Sequence, residues 1–538
     1  MYFHVSVIVV LFATSCTYSA ESYIPVSDSE NNSAPLNECR SINDARFSLQ
    51  SELGDFSNQP ESGYVQNPDD YFEITPGGGL IVADFNGDDL LDLYLSRLDK
   101  DLLYFNEGDR SFTLMADMTS DHDFNSPSIG GSAADFDGDG DMDIFLLTAR
   151  DHNRLLMNNG HGFTDVTEQY GLLDDTGDST AAVWNDFDLD GDLDLFVGGH
   201  KEAAFNLNPD GVSPAATINR LYQNNGDSFD PVALYEEAVE PYTYAAAWLQ
   251  PEEGKRPLLY VVNDFGDMVV PNMLYSQESQ GFAPVQNSGL DLAMAGMGIS
   301  QTDLNSDGLP DLLISDFEGV RLLMSSQSNQ WYESSQSLGL TRSDSDQIYS
   351  WGVNLFDFEN DGRPDAFASW GPTHNLNGEL HEEDSMHQPN SFWANLGGEF
   401  QDMAHVWGLE ARTISRGSVV ADLDLDGVQD LILSHVNAPA EIYWGDCMNG
   451  NWVSLEIDMD GMNTNGVGSK VVVKTQRTEQ TQWILAGDSL ASGGPPIAHF
   501  GLGHIEEDFV EVEITLPDGR KVQDTLTLNA HSKIPIDG

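Results

Sequence analysis

The sequence predicts an all-β protein: a seven-bladed β-propeller followed by a small C-terminal β domain. Three observations predict it. A nine-residue acidic loop recurs at blade-sized intervals, each copy is followed by similar short apolar strands, and the chain from about residue 449 alternates as strands without the loop. At 538 residues, with 40% hydrophobic residues and 50 glycines, the chain exceeds one ordinary core, so a repeat architecture is expected.

In chain order, residues 1–20 read as an export signal. Val5 to Ala13 is apolar but too short to span a bilayer, and cleavage after Ala20 would release the rest. Phe12-Ala-Thr-Ser-Cys16 also resembles a bacterial lipobox, so a lipid anchor on Cys16 and plain secretion both stay open. Residues 21–46 form a polar tether. No later stretch of the sequence is long and apolar enough to cross a membrane.

The propeller is assigned to 47–446. Its loop is clearest at Asp135-Phe-Asp-Gly-Asp-Gly-Asp-Met-Asp143, followed by Ile144-Phe-Leu-Leu147. Side-chain oxygens at positions one, three, five and nine (Asp135, Asp137, Asp139, Asp143), with the carbonyl of position seven (Asp141), suit Ca²⁺. That cation takes six to eight oxygens at about 2.3–2.6 Å, and the glycine at position six permits the tight turn. Five further copies put the same positions at Asp84, Asn86, Asp88, Leu90 and Asp92; at Asp186, Asp188, Asp190, Asp192 and Asp194; and at Asp303, Asn305, Asp307, Leu309 and Asp311. The last two fall at Asp357, Glu359, Asp361, Arg363 and Asp365, and at Asp422, Asp424, Asp426, Val428 and Asp430. About six Ca²⁺ sites are therefore expected.

Successive loops start 51, 51, 117, 54 and 65 residues apart, and the long gap hides a seventh repeat. Ala246-Ala-Trp248 parallels Ala182-Val-Trp184, while Gln250, Glu252, Gly254 and Leu258 stand at the ligand positions, so repeat four has lost its ligands. An EF-hand is excluded because position twelve of the second loop is Leu146. Six copies of one carboxylate set argue for structure over catalysis, which needs carboxylates in contrasting environments.

A fourth strand of each repeat opens on an aromatic: Phe112, Phe163, Phe229, Phe282, Trp331 or Phe400. The last repeat lacks one, and Phe47-Ser-Leu-Gln-Ser-Glu-Leu-Gly54 supplies it from the start of the chain. This closure predicts an N-terminal strand in the last blade, antiparallel to the strand at 441–444, and a Cys39–Cys447 disulfide beside it.

These loops, followed by Leu-Tyr-x-Asn-x-Gly as in Leu221-Tyr-Gln-Asn-Asn-Gly226, resemble FG-GAP/VCBS repeats, related to the integrin α-subunit propeller. Residues 449–538 carry Asn465-Gly-Val-Gly-Ser-Lys-Val-Val-Val473, His499-Phe-Gly-Leu-Gly503 and Leu516-Pro-Asp-Gly-Arg520. They are similar to the ASPIC/UnbV module that follows such propellers in bacterial homologues of the cartilage acidic proteins. The resemblance implies a module without naming an activity.

A net charge of −67 argues against nucleic acid and anionic membrane surfaces as partners, leaving a lipid on Cys16 as the membrane route. It fits a protein exported into a salty, divalent-rich medium. Long insertions at 55–76, 200–219, 236–244 and 371–390 are expected on the face opposite the acidic loops, as a surface for an extracellular protein or glycan. His374, His381, Glu382, Glu383, Asp384 and His387 lie in the last of these, at a spacing that matches no zinc motif. A carbohydrate-active lyase or hydrolase on the same face is the alternative, although no nucleophile–base or acid pair stands out and no Gly-x-Ser-x-Gly or phosphate loop occurs.

Overall fold

A computed structural model describes residues 47–50, 78–97, 101–115, 128–148, 152–173, 179–200, 218–234, 241–250, 254–317, 319–327, 329–342, 349–371, 388–409, 412–435, 438–448 and 450–536, with the backbone of 37–38. The predicted insertion surface and its histidines lie mostly outside these residues, as do the export signal and Cys39.

Seven four-stranded antiparallel sheets form the blades. Blade one runs Leu80–Ala83, Asp92–Leu95, Leu102–Asn106 and Phe112–Leu114, and the others repeat that order. Inner strands such as Ser128–Ala134 and Ser179–Asn185 are buried along their whole length. That is why they read as runs of small and apolar residues instead of alternating.

Blade seven joins Ser415–Ala421, Asp430–His435 and Glu441–Gly445 to the N-terminal strand Phe47–Gln50, which pairs antiparallel with Phe47 opposite Gly445. The predicted closure is therefore observed. Asn37 pairs in parallel with Cys447, but the expected disulfide to Cys39 lies outside the described residues.

In blade four, Leu249 faces Leu258 in the register that Asn185 and Asp194 hold in blade three. Leu258 thus takes position nine of an eroded loop.

Two aromatic positions of the repeat meet between blades. The ring at loop position two packs on the ring opening strand four of the next blade: Phe85 on Phe163 at 5.9 Å, Phe136 on Phe229 at 6.1 Å, and Phe187 on Phe282 at 5.3 Å between centroids. Phe358 of blade six stacks on Phe47 at 4.0 Å, so the closing strand is tied by the same device. Each such ring contributes about 1.5–3 kcal/mol through burial, and the ring pairing adds about 0.5–1.5.

The C-terminal part holds two sheets. Asn451–Met459 lies between Ala498–Gly503 and His531–Ile536, and Lys470–Lys474 pairs with Glu479–Trp483 and Phe509–Thr515, with Lys521–Thr527 at the edge. This domain does more than follow the propeller. Residues 484–497 enter the ring and bond to its innermost strands. Val82 N–H donates to Gly493 O (2.9 Å), Gly131 N–H to Ala491 O (3.1 Å), Trp184 N–H to Ala486 O (3.0 Å), and Ser489 N–H to Ile299 O (2.8 Å). Leu490 and Ala491 join Ile129, Trp184 and Trp351 in one buried cluster. The segment plugs the axis.

Candidate metal centre

Each Asp loop is folded by its own carboxylates. At position one, Oδ1 accepts the N–H of position five and Oδ2 that of position six. In loop two these bonds are 3.1 Å from Asp139 and 2.9 Å from Gly140 to Asp135; in loop seven they are 3.1 Å from Asp426 and 2.8 Å from Gly427 to Asp422. Oδ1 of position five accepts the N–H of position seven, as Asp139 does from Asp141 at 3.0 Å.

Position nine is held on both sides. Asp143 Oδ2 accepts Phe136 N–H at 3.2 Å and Oδ1 accepts Asn158 N–H at 2.7 Å, and Asp194 does the same with Phe187 and Asn224.

The backbone is left-handed at positions four and six. Position six, expected to need glycine, has φ 94° at Gly140, and Asp89 takes it at 65° in loop one. Position four was not singled out from the sequence. There, Leu189 has φ 67° and Leu425 φ 57°. A branched side chain in that region costs on the order of 1 kcal/mol or more, and such strain is held where surrounding bonds over-determine it.

The structure draws some predicted ligands together and not others. Asp135, Asp137 and Asp143, then Asp186, Asp188 and Asp194, then Asp422, Asp424 and Asp430 each bring three carboxylate oxygens within 4.8 Å of one another. In loops one and five an asparagine stands at position three, and its amide nitrogen donates to Asp88 or Asp307 at 3.1 Å. In loop six the carboxylates do not converge to that distance, and Arg363 ion-pairs with Asp361.

Buried charge without a counter-ion raises the pKa of these groups. Desolvation pushes Asp143 and Asp194 up to about 9, and Asp92 and Asp311 to about 7, with neighbouring carboxylates adding to the shift. Asp365, Asp422 and Asp430 are raised well above the ordinary carboxylate range for the same reasons.

Two buried acceptor atoms bear on whether a cation suits these loops. Asp188 Oδ1 and Asp424 Oδ1 are buried without a hydrogen-bond partner, while their Oδ2 atoms accept Gln223 Nε2–H at 2.5 Å and Arg110 Nε–H at 2.7 Å. Arg110 comes from blade one and also contacts Asp446 at 3.1 Å, so it orients Asp424 from outside the loop. Buried acceptors of this kind are costly unless a cation or proton meets them. The residues fit a hard cation.

Sequence reading missed a second duty of the Leu-Tyr-x-Asn-x-Gly asparagine. Asn158 Nδ2–H donates to Phe85 O of blade one at 2.9 Å and to Met142 O at 3.2 Å, and its Oδ1 accepts Gly160 N–H at 3.1 Å. Asn224 reaches Phe136 O, and Asn106 reaches Leu423 O across the ring seam. Each ties its blade to the preceding Asp loop. The recurrence of Asn before the strand-three turn was the available signal. Asn158→Ala should cost about 2–4 kcal/mol, read by chemical denaturation, because it orphans buried carbonyls.

Fold and loops together define a class: a β-propeller with recurrent carboxylate loops, capped by its own C-terminal β domain. The chain carries FG-GAP-like repeats, matched over residues 84–146, 135–197 and 259–368, and an ASPIC and UnbV domain, matched over 459–536. It is homologous to cartilage acidic protein 1. Identity is 25% over 484 residues with the Homo sapiens protein (75% of this chain, 71% of that one) and 24% over 492 residues with that of Xenopus tropicalis (76% and 74%). With the Mus musculus protein it is 22% over 485 residues (75% and 73%).

Proposed function

We propose that the chain is an exported, calcium-loaded propeller scaffold that binds an extracellular protein or glycan through the face opposite its Asp loops. The observation that carries this reading is the division of labour between faces. The Asp-loop face is taken up by the C-terminal domain: the Trp452 ring lies against Gly427, Lys470 Nζ donates to Gly308 O at 3.0 Å, and Asp192 bridges to Met462. A cation there rigidifies the scaffold and neutralises the convergent carboxylates of loops two, three and seven. An outside partner is left with the other face.

On that other face, the connections between second and third strands expose Met268 (67%) and Phe317 (38%), with Phe317 edge-on to Tyr349 at 4.6 Å. Exposed methionine and aromatic side chains are enriched at recognition surfaces. Screening on a glycan array and on immobilised extracellular-matrix proteins should give a calcium-dependent binder. The Met268→Ser/Phe317→Ser double variant should weaken its capture at least tenfold without changing the melting temperature by more than about 1 °C, since both side chains are exposed. Capture that survives the double variant, or that is lost with Leu425→Ser on the Asp-loop face instead, would count against the assignment.

A further inference from the structure

We infer that the C-terminal domain is part of the metal centre of loop two, with Thr464 as its positioning residue, so that cation loading and insertion of the axial plug are one linked equilibrium. This rests on the calcium reading above and adds what that reading does not contain.

Asp135 is the position-one carboxylate of loop two. Its Oδ2 accepts Gly140 N–H at 2.9 Å from within the loop and the Thr464 hydroxyl at 2.6 Å from the C-terminal domain, 329 positions away in sequence. Thr464 sits in a turn closed by Met459 N–H to Thr464 O at 2.8 Å, which fixes where its side chain points. The approach of the two backbones is equally tight. A Cβ on Gly138 would lie 2.5 Å from Gly461 O, so loop position four touches the 461–464 turn directly.

The loop and the C-terminal domain share one carboxylate oxygen. A cation in loop two would fix the orientation of Asp135 and thereby the acceptor that Thr464 grips. Conversely, a docked Thr464 orients Asp135 for the cation. Such a coupling is reciprocal by thermodynamic necessity. Hydrogen bonds to a ligating carboxylate commonly tune metal affinity 10–100-fold.

The plug belongs to the same C-terminal domain as Thr464. Residues 486–493 follow Glu479–Trp483, whose neighbour Lys470–Lys474 begins just after the 461–468 turns. Loop six makes a parallel contact: Asn360 Oδ1 meets His499 Nε2 at 2.8 Å, and Asn360 Nδ2–H donates to Gly427 O of loop seven. The domain thus reads several loops, Thr481 also bonding Asp303 of loop five, and among the described residues loop two is where it hydrogen-bonds a carboxylate that converges with two others.

The test compares the full-length protein with Thr464→Val and Thr464→Ser in calorimetric Ca²⁺ titrations and in amide exchange at Val82, Gly131, Trp184 and Ser489, whose N–H groups bond across the plug. Wild-type plug amides should exchange at least tenfold faster after chelation, while amides of Phe509–Thr515 stay unchanged. Thr464→Val should keep the number of bound ions, weaken one of them about tenfold, and speed plug exchange in Ca²⁺; Thr464→Ser should restore both. Wild-type protein that binds Ca²⁺ with plug exchange indifferent to it, or Thr464→Val with every site unaltered, overturns the linkage and leaves the calcium reading standing. Wild-type protein that binds no Ca²⁺ overturns both.

Discussion

Removal of divalent cations is expected to lower the melting temperature by about 4–8 °C if the three convergent loops are loaded, and by about twice that if all six are. With dissociation constants of about 10⁻⁴–10⁻³ M and 10 mM free Ca²⁺, each site stabilises the fold by about 1.4–2.7 kcal/mol. For a chain of this size, 1 kcal/mol moves the midpoint by roughly 1 °C. Scanning calorimetry in Ca²⁺ and in EDTA therefore counts sites as well as detecting them.

The metal-free protein should also respond to pH in an unusual direction. Its buried loop carboxyls keep their protons up to about 7 at Asp92 and about 9 at Asp143, whereas the unfolded chain releases them near 4. Between those limits the folded state binds more protons than the unfolded one, so its stability falls as pH rises. In EDTA the melting temperature should be higher at pH 5 than at pH 8. Saturating Ca²⁺ keeps the ligands ionised and should flatten that slope. A metal-free protein that gains stability from pH 5 to 8 would contradict the electrostatic account of the loops.

The second large effect is expected from Gly130→Val. A Cβ at Gly130 would stand 1.8 Å from Ala491 O and 2.8 Å from Ala491 Cβ, so the side chain and the plug cannot share the axis. The cost should reach about 3–5 kcal/mol, as for a severe core overpacking. Protease cleavage within 484–497 should accelerate at temperatures where wild type resists. Gly319→Ala is the control: its Cβ would meet no atom within 4 Å, and the variant should melt like wild type.

The blades were legible in sequence because their signal is local and repeated. One loop could have been a solvated acidic turn, but six at a regular interval, and a seventh recognisable by Trp248 and Leu258 despite its lost ligands, specify strand order and even the ring closure at Phe47. The plug was not legible. Ala486 to Gly494 is a run of mostly small residues whose partners, from Leu80 to Ile299, lie far away in sequence, so no periodicity marks it. The left-handed Leu189 and Leu425 escaped for the opposite reason: local preference argues against that conformation, and only the surrounding carboxylate bonds enforce it. Arg110 likewise shows no motif, because its role as a brace for Asp424 exists only once blades one and seven meet.

The strand Phe47–Gln50 has a consequence in time. Ser48 bonds to Asp446, 398 positions later, so an edge made first waits for a partner made nearly last. During synthesis at about 5–20 residues per second, that wait lasts roughly 20–80 s. Until Glu441–Gly445 is made, the strand that carries Phe47 has no edge to join, and its ring partner Phe358 of blade six itself emerges only late in that wait. The chain should therefore depend on delayed folding or on a holding factor, and a circular permutant that begins after Gln50 and so carries 47–50 at its end should refold faster than the natural order.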